Sequence, residues 1–471
     1  MHWTDREAEL KRLSALCGRR EGGLGVVYGR RRIGKTRLLL EWTKRNDGVY
    51  TVADQSTPDI QRRYVARALA ERLPGFADVE YPDWNSLLER VAREAKAVDW
   101  RGPVVFDEFP YLVGPSPELP SVMQRWVDHA AREARLSCAI AGSSQRMMQG
   151  LALTPNAPLY GRASEILLLG PLPVSAAAEV FGVRQPSELV SIHAAWGGVP
   201  RYWELAADLH GRLTQRIDAL VLDPSGPLHV EPDRLLLEEL PPAIELRPIL
   251  DAVGAGAHRL SEIAGRVGRA ATSLSRPLDR LIGLGLLRRE VPFGEPEKKS
   301  KRSLYRIDDP FTRLWFRVVA PHRALLLVGN QAARLEILAR HLPALLSTAW
   351  EDLCRALLPQ LGRQRGVGRL GPFGAAGRWW HGNAPEWDVV ARSLDGSVLL
   401  LGEAKWSERP LAQRTLQAHL HDLITRDAPE VASRRGVRVV RALFVPEVRT
   451  VPPTPKDVHV VTGRELLQLP G

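Results

Sequence analysis

The chain has 471 residues, 44% hydrophobic and 25% charged, with a formal net charge of +11 and a pI of about 9.8. These values exclude a disordered or collagen-like chain and suit a globular protein of two to four domains, and no apolar run is long enough to span a bilayer. Three scattered cysteines, Cys17, Cys138 and Cys354, exclude a disulfide framework or a cysteine metal site, and the opening residues lack the apolar stretch of a signal peptide, so the expected setting is a reducing cytoplasm.

In chain order, the apolar run Gly25–Tyr28 suits a buried strand. Gly29, Arg30, Arg31, Arg32, Ile33, Gly34, Lys35 and Thr36 follow and fit G-x-x-x-x-G-K-[ST] at every fixed position, and residues 37–42 then read as a helix. Strand, glycine loop and helix is the setting in which loop N–H groups and a helix N-terminus make a phosphate site. The expected ligand is ATP with Mg²⁺, Lys35 reaching the outer phosphates and Thr36 ligating the metal.

Further along, Pro103–Phe109 gives an apolar strand ending in Asp107 and Glu108. Asp107 is expected to hold Mg²⁺ through water, and Glu108 to activate the attacking water. A third apolar run, Ser137–Ala141, ends in Gly142, Ser143 and Ser144. Either serine is placed to sense the γ-phosphate, and Ser143 is the nearer to the strand.

The opening Trp3-Thr4-Asp5-Arg6-Glu7-Ala8-Glu9-Leu10 resembles the F-x-x-R-E-x-E-L signature of archaeal-type ATPases, relatives of the AAA+ and STAND NTPases. Tyr28–Leu38 resembles their phosphate loop, Leu159-Tyr160-Gly161-Arg162 their L-Y-G-R segment, and Gly197-Gly198-Val199-Pro200-Arg201-Tyr202 their G-G-x-P-x-Y motif. The resemblance implies that Arg162 is a charge sensor or finger for the γ-phosphate, acting within or between subunits. It also implies that Pro200 lies near the nucleotide in a helical lid.

After proline-rich linkers at residues 224–227 and 241–242, three short helical patterns and a hairpin follow: 244–253, 260–267 and 269–284, then strands at 286–291 and 303–307. This is the layout of a winged helix, the third helix as reader and the hairpin as wing. Residues 259–323 hold 15 Lys and Arg against 7 Asp and Glu, a net of +8, which is what phosphate-backbone contact asks for. Arg276 and Arg280 on the reader and Lys298, Lys299, Lys301 and Arg302 in the wing are the candidate DNA contacts. Such domains also serve as spacers and protein-binding modules.

The last stretch opens with a helical pattern over 342–358 carrying Glu351 and Asp352. Residues 386–391 then carry Asp388, a turn lies at Asp395-Gly396, and a strand ends Gly402-Glu403-Ala404-Lys405-Trp406. Alternation puts Glu403 and Lys405 on one face. Asp388 and Glu403 supply hard oxygens for Mg²⁺, and Lys405 positions the water or offsets charge. The spacing resembles the core of the PD-(D/E)xK nuclease fold, and archaeal-type ATPases often end in such a domain of unknown function. Trp387 stands where the motif's proline would be.

The expected chain is α/β. A P-loop NTPase with a parallel sheet and helical lid fills 1–228, a winged helix 241–323, and a restriction-endonuclease-like α/β domain 324–471. The expected function is ATP-binding and -hydrolysing switching on DNA through a Mg²⁺-dependent nuclease-like effector. The alternative is a STAND-type regulatory ATPase whose last domain is a non-cleaving adaptor for nucleic acid or protein. The expected partner is DNA, with no membrane, and self-association or a protein partner is left open.

Overall fold

The computed structural model describes residues 5–239, 246–297, 300, 302–362, 366–433 and 436–469. It divides into two units, Met1–Leu172 with Val199–Arg201, and Pro173–Gly198 with Tyr202–Gly471.

In the first unit five strands form one sheet: β1 (Gly23–Tyr28), β2 (Val49–Val52), β3 (Val104–Asp107), β4 (Ser137–Gly142) and β5 (Ala163–Leu168), ordered β2-β3-β4-β1-β5. Every pairing is parallel. β3 and β4 are buried along their whole length, which is why their sequences run apolar without alternation. The helix Lys35–Arg45 buries Leu38, Leu39 and Trp42. The helix Trp84–Ala97 buries Trp84, Leu87, Leu88 and Val91, and starts where the Asp83 carboxylate accepts the Ser86 N–H at 2.7 Å. Because β4 lies between β1 and β3, the carboxyl ends of three neighbouring strands carry the phosphate loop, Ser143 and the Asp107–Glu108 pair side by side.

The second unit opens with helices that include Pro186–Trp196 and Glu231–Glu239. The helices Arg247–Gly254, Leu260–Val267 and Ser275–Gly283 follow, then the antiparallel pair β6 (Leu287–Glu290) and β7 (Leu304–Ile307). A single bridge joins Arg259 to Leu304. The third helix is shorter than its periodicity suggests. Residues Ala271–Leu274 form a separate 3-10 turn, so Thr272 and Ser273 are not on it. Pro277 lacks an N–H and fits only a first turn, which sets the start near Ser275.

The 27-residue helix Gln331–Leu357 leads to a mixed sheet of β8 (Gly377–Trp379), β9 (Trp387–Arg392), β10 (Val398–Ala404), β11 (Arg438–Val445) and β12 (Val458–Thr462), ordered β12-β11-β10-β9-β8. β8, β9 and β10 pair antiparallel, while β10, β11 and β12 pair parallel. The parallel step needs a crossover, supplied by the helix Gln413–Thr425. Leu416, Leu420 and Leu423 of that helix pack with Leu399, Leu401 and Leu443 of the sheet. No helix among the described residues is long and apolar enough to cross a membrane.

Candidate active sites

The glycine loop needs its glycines for two separate reasons. Gly29 has φ +153°, and a Cβ there would lie 2.5 Å from the Leu169 carbonyl oxygen, while Gly34 has φ +95°. Pro200 packs beside the loop, its Cγ 3.6 Å from where a Gly34 Cβ would stand. Lys35 is 5% exposed, and its Nζ donates to the Gly29 and Arg30 carbonyls at 3.0 and 3.2 Å. Thr36 Oγ1 donates to Asp107 Oδ2 at 2.8 Å. The Asp107 Oδ1 accepts the Glu108 N–H at 2.9 Å. Glu108 has φ +50°, and its Oε2 accepts the Ser143 hydroxyl at 2.9 Å. Loop, threonine, two acids and serine thus share one end of the sheet.

Two contributors were not legible in the motifs. Tyr50, on β2, donates its hydroxyl to Asp107 Oδ2 at 2.7 Å, the oxygen that Thr36 also contacts. Burial and the charge of Asp107 hold the Tyr50 phenol above its ordinary range, so it stays a donor. Arg6 enters the sequence only as a letter of a signature. It is 8% exposed and donates to the Ile33 carbonyl of the loop at 3.3 Å and to Gly170 at 2.6 Å. A loop that points its N–H groups inward turns its carbonyls outward, and Arg6 satisfies one of these.

Arg162 is elsewhere. It immediately precedes β5, and Leu24 at the start of β1 pairs with Ala163. The phosphate loop follows the far end of β1, so the two are separated by roughly a strand length, about 17 Å. Its Nε lies 3.5 Å from Asp128 Oδ2. This corrects the in-chain version of its expected role: from here it cannot reach a phosphate on its own loop.

In the second unit, β9 and β10 pair Gly402 with Val389, and one more step sets Glu403 opposite Asp388. The hairpin between them is tied by Asp395, whose Oδ1 accepts from the Ser393 hydroxyl at 2.5 Å and the Ser397 N–H at 3.1 Å. Asp388 Oδ2 accepts the Ala404 N–H at 3.1 Å. Lys405 Nζ lies 2.6 Å from Glu403 Oε1, and Arg426 pairs with Glu403 Oε2. Arg426 also donates to the Glu386 carbonyl at 2.8 Å and stacks over Trp387, 5.2 Å from the ring centre. Arg355, on the long helix, donates to the Asp388 carbonyl at 2.8 Å.

These charges divide the carboxylates. Burial and Glu403 raise the Asp388 pKa. Burial and Asp388 push Glu351 up to about 7. Burial opposes the ionised Glu403, but Arg426 and Lys405 outweigh it and hold its pKa down. Among the described residues, no group of three or more His, Cys, Asp or Glu side chains is arranged to hold a metal ion. The donor chemistry nevertheless fits Mg²⁺ at both places. Thr36 and Asp107 are hard oxygen donors one hydrogen bond apart, and crowding has left Asp388 and Glu351 reluctant to ionise without a cation.

The expected DNA contacts fare unevenly. Arg276 is exposed on the helix Ser275–Gly283, Arg280 is half-buried, and Arg302 pairs with Glu295. Lys298, Lys299 and Lys301 lie outside the described residues. The +8 count overstated the basic surface, because several of its arginines turn inward. Arg288 pairs with Glu290, Asp308 and Asp352, Arg306 with Glu290, and Arg313 with Asp352.

Residues 3–204 match the model of an ATPase domain predominantly from Archaea. This stretch is therefore similar to an archaeal-type ATPase domain. Residues 315–418 match a family of archaeal and bacterial proteins of unknown function. An uncharacterized protein of Methanocaldococcus jannaschii is 28% identical over 427 residues, 89% of this chain and 91% of that protein. Among solved structures, a Walker-type ATPase of Pyrococcus abyssi is 18% identical with a TM-score of 0.49, covering 67% of this chain and 96% of its own. The ORC1 protein of Aeropyrum pernix, solved in complex with DNA, is 18% identical with a TM-score of 0.30, covering 69% of this chain and 95% of its own. The matched stretch contains the phosphate loop, Asp107, Glu108, Ser143, Arg162 and Pro200, and an ATPase domain implies nucleotide binding. The acidic site on β9 and β10 lies partly within the second match, which reaches Asp388, Glu403 and Lys405 but not Arg426.

Proposed function

We propose that the chain is an ATP-hydrolysing switch that acts on DNA and carries a Mg²⁺-dependent nuclease-like effector in its C-terminal sheet. The observation that carries the first half is the pairing of Thr36 with Asp107 and of Ser143 with Glu108 at 2.8 and 2.9 Å. These bonds aim both acids at the place where the loop holds the outer phosphates. With nucleotide bound, Lys35 would exchange its carbonyl contacts for phosphate oxygens, Thr36 and Asp107 would hold Mg²⁺, and Glu108, oriented by Ser143, would take a proton from the attacking water. Mg²⁺, when bound, offsets the charge of the phosphates.

The three helices and hairpin of residues 247–307 have winged-helix order, and the exposed Arg276 faces solvent for a duplex backbone. In the effector, Asp388 and Glu403 would hold Mg²⁺ and Lys405 would position the water, with Glu351 close enough for its pKa to be raised by Asp388. Arg355 fixes the backbone of Asp388, and Arg426 orients Glu403. Mg²⁺ there would supply an acidified water and stabilise the leaving oxygen.

A second reading has its own support. Glu403 is already engaged by Lys405 and Arg426, and much of the basic segment is spent on internal acids. Both features suit a STAND-type regulatory ATPase whose last domain grips nucleic acid or protein without cutting.

One experiment separates them. The full chain is incubated with Mg²⁺ or Mn²⁺ and with DNA and RNA, beside Asp388→Ala, Lys405→Ala and Lys35→Ala. Cleavage lost in the first two variants supports the effector. ATP hydrolysis lost in Lys35→Ala, with no cleavage by any form, supports the second reading. Hydrolysis undiminished in Lys35→Ala would sink both.

A further inference from the structure

A cavity of about 240 Å³ in the second unit is used by neither site above, and positive charge is concentrated on its wall. His258, Arg306 of β7, Arg313, Arg317 and Thr348 of the long helix line it, together with apolar residues of the helices Arg247–Gly254 and Gln331–Leu357. Three guanidiniums and an imidazole around so small a space are costly unless acids answer each of them.

The acids answer only in part. Arg313 is satisfied by Asp352 at 2.7 Å and by the Ile307 carbonyl. Arg306 Nε stands 3.1 Å from Glu290 Oε2, yet both atoms are buried without a hydrogen-bond partner, so the contact is one of charge without alignment. Arg317 has no carboxylate partner among the described residues and reaches only the Gly254 carbonyl, at 3.4 Å. The His258 Nδ1 lies 3.1 Å from the Tyr305 carbonyl, which commits one ring nitrogen and leaves Nε2. Burial, with Arg378 and Arg288 adding to it, pulls the Arg306 guanidinium below its ordinary range, as expected where positive charge is in surplus. Gly256, at φ +100°, lets the chain turn close by Arg317, whose Nη1 is 3.4 Å from where a Cβ would stand.

We propose that this cavity is a binding site for a small, multiply charged oxyanion of the phosphate and diphosphate class, held chiefly by Arg317 and Arg306 with His258 as a third contact. The size sets the class. At about 240 Å³ it falls below the roughly 300–1,000 Å³ typical of pockets for drug-sized ligands. It holds on the order of eight waters at about 30 Å³ each, room for a phosphate or diphosphate group but not for a base and sugar as well. Guanidinium forks are the groups that match such oxygens. The wall joins the first helix of the three-helix segment, the hairpin and the long helix, so an anion there would tie these three elements together.

The test uses the full chain carrying Lys35→Ala, so that the phosphate loop does not report. Sodium pyrophosphate is titrated calorimetrically into this protein and into the same protein with Arg317→Met or Arg317→Lys. One pyrophosphate per chain is expected. Arg317→Met should weaken it about tenfold or more, the loss of one charge-assisted hydrogen bond, and Arg317→Lys should recover part of it. Unchanged melting temperatures verify that the variants fold. A short oligonucleotide with a 5′-phosphate is then offered as competitor beside its 5′-hydroxyl form. Competition by the first alone assigns the anion to a strand end, and no competition assigns it to a free anion, both through the Arg317-dependent site. Absence of saturable pyrophosphate binding, or equal affinity in Arg317→Met, overturns the proposal.

Discussion

Replacing Asp352 with Asn should unsettle the whole second unit. One carboxylate there is shared by three arginines: Arg288 and Arg355 reach Oδ1 at 2.6 Å and Arg313 reaches Oδ2 at 2.7 Å. The side chain is only 16% exposed. Burial opposes its ionised form, yet the arginines prevail and hold its pKa well below the usual carboxylate range. Asn keeps the shape and removes the charge, so no cavity confuses the result. Breaking a fully buried pair from one side costs about 3–5 kcal/mol. Here Arg288 keeps Glu290 and Asp308, and Arg355 keeps the Asp388 carbonyl, so about 2–3 kcal/mol is expected. With a urea m-value near 3 kcal/mol/M, the unfolding midpoint should fall by about 1 M. Tryptophan fluorescence and circular dichroism would follow the transition. Combining Asp352→Asn with Arg313→Gln should cost less than the two single losses added, because they share one contact. A midpoint within about 0.2 M of the parent would refute the account of Asp352 as a hub.

Further outcomes follow from other contacts. Tyr50→Phe removes one of two donors to Asp107 Oδ2; ATP turnover should drop about tenfold and need more Mg²⁺, the scale of one hydrogen bond to a charged group, as read by phosphate release across a Mg²⁺ series. Arg162→Ala should leave single-chain ATP hydrolysis unchanged, measured at concentrations where ultracentrifugation finds monomer, and a large loss there would contradict its placement. Burial lowers the His193 pKa to about 4, so between about pH 6.5 and 4 the unfolded chain binds the proton more readily. Stability should therefore fall as acid is added through that window, by about 3 kcal/mol in all. A His193→Gln variant should show a shallower acid limb in urea titrations at stepped pH.

The nucleotide site was legible because its chemistry is local. Gly29–Thr36 needs no partner to be read, and an apolar run ending in two acids marks a strand end whatever its neighbours. Asp388, Glu403 and Lys405 could be found for the same reason, being one hairpin and one alternation apart. Tyr50 could not, since only the order β2-β3 brings it to Asp107. Arg355 reaches the Asp388 backbone from a helix and Arg426 reaches Glu403 from just past the end of another, and no spacing in the chain announces that. The basic segment misled because a charge count treats all arginines alike. Asp352, which takes up Arg288 and Arg313, lies beyond the window in which they were counted. Arg162 could be read as acting within or between subunits, because a motif shared with a family carries no information about which end of a strand it occupies.

The hairpin at Ser393–Ser397 has a consequence for how the acidic site could be lost. Nothing in that turn touches Asp388 or Glu403, yet its length sets which residue stands across from which. A single residue inserted between Asp395 and Gly396 would slide one strand by a step, and side chains that had met would face opposite ways. The turn is a ruler, and the site can be erased at a distance with every one of its acids intact.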